Sequence, residues 1–89
     1  MQEYIDKYGK EFLREILDIV IIDKRPFNNE EIRNLLLKHK LIKPSTKIIR
    51  CYHNSTDYAF HISIRNGRNT YILYMFIRKE ELPELFKLL

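Results

Sequence analysis

The stretch TKIIRCYH, residues 46–53, decides the fold. Its threonine, isoleucines, cysteine and tyrosine favour an extended strand. Ser45 just before it would equally cap a short helix carrying Ile48, Ile49 and Tyr52 on one side. The turn-like NSTD that follows, residues 54–57, and two further strand patterns beyond it favour strand.

YAFHISIR, 58–65, alternates: Tyr58, Phe60, Ile62 and Ile64 lie on one face, Ala59, His61, Ser63 and Arg65 on the other. Asn66-Gly67 is a strong hairpin signal, because both residues tolerate positive φ. TYILYMFIR, 70–78, returns. A two-residue Asn-Gly turn pairs Ile62 with Tyr71, Phe60 with Leu73 and Tyr58 with Met75. A four-residue loop keeps the same faces, and a three-residue bulged loop exchanges them. The third strand is apolar on both sides, which a one-sided sheet does not require. Either a helix covers its second face, or Ile72, Tyr74 and Phe76, beside His61, Arg65 and Arg68, form a binding surface. KEELPELFKLL then reads as a short terminal helix, starting near residues 81–83 because proline suits a first turn.

Upstream, Pro26 ends one helix and Asn28 caps the next. Glu31 can reach back to complete a capping box, and Phe27 can staple onto Ile32. This second helix runs from Asn29 to His39 or Lys40 and buries Ile32, Leu35 and Leu36. The first spans 3–23, where Tyr4, Tyr8 and Phe12 start a stripe that Leu13, Ile16, Leu17 and Val20 continue. Ile19, Ile21 and Ile22 make its end apolar nearly all round, which calls for cover from the fold or from a second subunit.

The expected architecture is therefore α+β and one domain, 1–89: two N-terminal helices, a three-stranded antiparallel sheet with an Asn-Gly hairpin, and a short C-terminal helix. At 45% hydrophobic and 31% charged, the 89 residues are those of a globular chain. One cysteine, Cys51, excludes an internal disulfide and suits a reducing cytoplasm. The N-terminal MQEYIDKYGKEF has no apolar core, so no signal peptide is expected. The longest apolar run, Ile19 to Ile22, is far short of a membrane span. A single alanine, with abundant Ile, Leu, Lys and Asn, points to an AT-rich genome.

Charge is segregated along the chain. Residues 1–31 carry −3, residues 32–79 carry +9 with Asp57 as their one acid, and residues 80–89 carry −2. A positive field concentrated in the middle section suits a polyanion, whose counterions lysine and arginine displace. Lys38, Lys40, Lys43, Lys47 and Arg50, with Arg65 and Arg68 at the hairpin tip, are the candidate contacts.

Glu30, Glu31, Ile32, Leu35 and Leu36, then Pro44-Ser45-Thr46, then Ile48, Ile49 and Arg50, resemble the helix-turn-helix of winged-helix DNA-binding domains over residues 28–77. The resemblance implies a recognition helix with Ser45, Thr46, Lys47 and Arg50 at the major groove. The hairpin becomes the wing, with Arg65 and Arg68 on the DNA backbone. The LKHKLIK connection is longer than the usual turn and has no glycine. If 46–53 is a strand, the order helix, three strands, helix resembles the double-stranded-RNA-binding fold and small ribonuclease toxins of the HicA type. Those toxins use a strand histidine, matched only by His61.

Cys51, His53 and His61 lack the fourth ligand of a closed zinc site. With two glycines the chain has no phosphate loop, and no nucleophile motif or dinucleotide fingerprint appears. A non-enzyme without cofactor or metal is expected: a nucleic-acid-binding regulator or accessory factor, DNA before RNA, of viral or plasmid origin and homodimeric. The alternative is a protein-interaction module that anchors an acidic partner, such as a host factor, on Ile72, Tyr74 and Phe76.

Overall fold

In the computed structural model, which describes residues 2–54 and 58–89, TKIIRCYH is extended: β1 runs Lys47–Tyr52. The segment that the winged-helix resemblance makes a recognition helix is thus the first strand of a sheet. Strands β2 (Tyr58–Asn66) and β3 (Asn69–Phe76) complete an antiparallel meander in the order β1-β2-β3. The architecture is α+β as expected. The turn expected at NSTD lies largely outside the described residues.

The hairpin differs in detail from an Asn66-Gly67 turn. Asn66 pairs with Asn69, and Ile62 pairs with Leu73 rather than with Tyr71. Gly67 alone takes a positive φ, +65°, and Arg68 follows it, the Gly-first pattern of a II′ turn. Pairing is displaced by two residues, an even number, so the faces stay as the four-residue loop would set them. Phe60, Ile62, Ile64, Leu73 and Met75 share the core face.

The first helix is divided. Helix α1 (Gln2–Tyr8) meets α2 (Lys10–Leu17) at Gly9, whose φ of +86° no ordinary helical residue adopts. A π-helical segment, Asp18–Asp23, continues it until Lys24 turns left-handed ahead of Pro26. Ile19 and Val20 are buried there, but Ile22 is 69% exposed, so the all-round apolar end is covered on one side only.

Helix α3 (Asn29–Lys38) starts as expected: Asn28 Oδ1 accepts from the Glu30 and Glu31 amides at 2.9 and 3.1 Å. The other half of the box is not made, because the Glu31 carboxylate forms a bidentate pair with Arg25. The helix ends in a Schellman motif: Lys40 is left-handed, and the Leu41 and Lys40 amides donate to the Leu36 and Leu37 carbonyls. A 3₁₀ turn, Lys79–Glu81, leads into α4 (Leu82–Leu88), with Pro83 in its first turn.

All four helices supply buried residues to one cluster with the core face of the sheet. Tyr8 and Phe12 stack edge-on against Phe60, and Ile32, Leu36 and Leu85 are wholly buried. The helices therefore form a layer on one side of the sheet, and no helix among the described residues lies on the other.

Candidate functional site

The uncovered side of the sheet is the candidate site. Strand register places side chains on it in rows: Lys47, Arg65 and Thr70; then Arg50, Ser63 and Ile72; then Tyr52, His61 and Tyr74, with Phe76 beyond. Adjacent rows stand about 6.7 Å apart along the strands. Ile72, Tyr74 and Phe76 are 51%, 43% and 47% exposed. Of the two explanations for the doubly apolar third strand, cover by a helix does not apply among the described residues.

A bulge makes this face what it is. Ile48 pairs with Ile64 and Arg50 with Ser63, leaving Ile49 as an extra residue. Strict alternation from Ile48 would send Arg50 and Tyr52 into the core and Cys51 outward. The extra residue reverses that parity: Arg50 and Tyr52 join the open face, and Cys51 pairs with Ile62 on the core side. There its thiol donates to Asn29 Oδ1 at 2.8 Å, and burial pushes its pKa up.

On the open face the Arg50 guanidinium lies 4.7 Å from the Tyr52 ring centre, and Tyr52 stacks on His61 at 4.7 Å with a 22° tilt. Lys7 reaches over from α1, its Nζ 5.9 Å from the Tyr74 ring centre. The three strands contain no Asp or Glu. Among the described residues, Lys47, Arg50, Arg65 and Arg68 form no ion pair. The face therefore has a basic end at the hairpin and an aromatic end away from it.

The outer edge of β3 is closed from the helical side. Tyr8 Oη donates to the Tyr74 carbonyl at 2.8 Å and accepts from the Tyr74 amide at 3.0 Å. Tyr4 makes the same two bonds to Phe76, at 3.1 and 3.3 Å. Burial pushes the Tyr4 phenol up, which keeps its proton available to donate. Four helical residues rise about 6.0 Å and two strand residues about 6.7 Å, so the i, i+4 pair matches alternate strand residues.

The other predicted basic residues are placed differently. Lys38 bonds Glu15 at 2.6 Å, and His39 contacts the same carboxylate. Lys40 and Lys43 are exposed in the α3–β1 connection, as is Ser45. Thr46 is 3% exposed, and its Oγ1 accepts from the Lys43 amide, so it cannot reach a groove. Arg33 donates to the Pro44 and Thr46 carbonyls and pins that connection to α3. Of the nine predicted nucleic-acid contacts, register brings Lys47, Arg50 and Arg65 onto one face, with Arg68 in the adjoining turn. Lys7 and Tyr52 were not anticipated. An arginine two residues after Ile48, where regular alternation would give both the same face, was the available sign of a bulge.

Cys51 and His61 lie on opposite faces, and His53 Nε2 donates to the Arg25 carbonyl at 2.7 Å. No group of three metal-ligating side chains occurs among the described residues. A cleft of about 730 Å³ between the π-helical segment and the start of α4 is a separate place. Val20, Ala59 and Ile77 line it with Lys24 and Lys79, and none of the predicted nucleic-acid contacts does. No helix among the described residues is long and apolar enough to cross a membrane. Comparison with protein-family models, with curated proteins and with solved structures finds no match to the chain.

Proposed function

We infer that the protein binds nucleic acid through the open face of its sheet, with the phosphate backbone held at the hairpin end. One observation carries this reading: Lys47, Arg50, Arg65 and Arg68 gather there, outside any described ion pair, on strands and a hairpin turn that contain no acid. Four such bases neutralise about four phosphates, so log affinity falls against log salt with a slope of about −2.8 to −3.6. A fourfold rise in salt, from 50 to 200 mM, then weakens binding by roughly 50- to 150-fold.

Anisotropy of a labelled oligonucleotide tests this. Lys47→Ala and Arg65→Ala each reduce the slope by about one, whereas Lys38→Ala, whose amine is already paired with Glu15, leaves it unchanged. Affinity indifferent to salt, or a loss in Lys38→Ala as large as in the others, overturns the reading. A second reading, capture of an acidic protein on Ile72, Tyr74 and Phe76, is favoured by their contiguous exposure. It requires that Ile72→Ala weaken the interaction as much as loss of either ring does.

A further inference from the structure

We propose that the ligand of this face is a single-stranded polynucleotide, its bases stacked on the aromatic rows and its phosphates on the basic end. The inference rests on the nucleic-acid reading above and specifies which form of nucleic acid the face accepts.

The division of the face carries the argument. A base has two flat surfaces that gain by lying on an aromatic ring, but only when no neighbouring base already covers them. In a duplex both surfaces are taken by stacking within the helix, leaving phosphates and groove edges. Tyr74 and Phe76 are about half exposed on β3, with Tyr52 and His61 stacked on each other in Tyr74's row. For a duplex ligand these rings are idle apolar surface. For an unpaired strand they are platforms.

Shape points the same way. The major groove, about 12 Å wide, admits a helix or a two-stranded ribbon. This face is three strands wide and backed by the helical layer, and the segment suited to groove entry, residues 46–53, is one of its strands. A flexible strand instead lies along the sheet. The row of Lys47 and Arg65 stands about 13 Å from the row of Tyr52 and Tyr74, with Arg50 between. That spacing separates phosphate contacts from about two or three stacking positions without a gap in charge. Lys7, beside the Tyr74 ring, continues the positive potential to the aromatic end.

The test compares a labelled oligothymidylate of about 15 nucleotides with the corresponding duplex, at 50 mM salt, on the full chain. The single strand is expected to bind at least tenfold more tightly. Tyr74→Leu keeps most of the apolar area but removes the ring, and should weaken single-strand binding by roughly tenfold while leaving duplex binding unchanged. Tyr74→Phe should bind like the parent, and unchanged thermal unfolding of both variants shows that the fold is retained. Equal binding of strand and duplex, with Tyr74→Leu silent and Lys47→Ala weakening both, overturns this inference and leaves the nucleic-acid reading standing. Binding of neither oligonucleotide removes both. A face that Ile72→Ala and Tyr74→Leu disable equally, for a protein partner or a second copy of the chain, also overturns it.

Discussion

Tyr4 and Tyr8 each use one hydroxyl to satisfy both backbone groups of a residue on an exposed sheet edge. Without them β3 would present unpaired amides and carbonyls on its outer side, a template for pairing with another chain. Tyr8 is buried and both bonds are part-buried, so water replaces its hydroxyl poorly, and Tyr8→Phe leaves the Tyr74 amide and carbonyl short of a partner. The cost should be about 1–3 kcal/mol, read as a lower denaturant midpoint with unchanged slope. Tyr4→Phe should cost less, because its bonds are longer and more exposed. Equal and negligible effects would mean that ring burial alone holds α1 to the sheet. Tyr4 and Tyr8 were legible as a helical stripe from their spacing. Their role at the edge was not, since their hydroxyl partners lie about seventy residues away.

Among the elements, β1 owes the placing of Ile48 and Arg50 on opposite faces to a single extra residue. Deleting Ile49 removes the bulge and leaves Ile48 next to Arg50, so plain alternation keeps Ile48 and Cys51 on the core side and Arg50 and Tyr52 on the open face. The variant should therefore still unfold cooperatively, within about 1 kcal/mol of the parent, because the pairs on either side of the bulge are kept. Ile49→Ala keeps the extra residue, and its exposed side chain should change stability by no more than about 0.5 kcal/mol. Circular dichroism during urea titration checks both; a deletion variant that loses cooperative unfolding would show that β1 needs the bulge itself and not only the parity of its faces. Helix α3 is the contrasting element. Asn28, Ile32, Leu36 and Lys38 are a local signal that needs no partner elsewhere, so its bounds were readable from sequence within a residue or two.

At the scale of the molecule, the strands carry bases and no acid whereas the helical side carries both signs, and two carboxylates tie the helical layer together. Hydrogen bonds from Lys38 and His39 hold the Glu15 carboxyl below its ordinary 4.5, and Arg25 does the same for Glu31. A pKa lower in the folded than in the unfolded chain stabilises the fold above about 4.5, and that stabilisation fades as pH falls through the lowered value. Melting temperature should therefore decline below about pH 4.5, and less steeply in the Glu15→Gln, Glu31→Gln double variant. Both carboxylates are more than a third exposed, so the effect should be modest and should shrink in salt. An unaltered pH profile in the double variant would assign the acid sensitivity to other groups. The sequence by itself determined the hairpin, the capped helix, the two faces of β2 and the segregation of charge, because each follows from period, turn chemistry or composition within a short window. Only the tertiary structure decided that TKIIRCYH is a strand, that Ile49 bulges, and that the second face of β3 stays open. Those outcomes depend on pairing between residues far apart in the chain, where the neighbour across the sheet, not the neighbour in sequence, sets the lowest free energy.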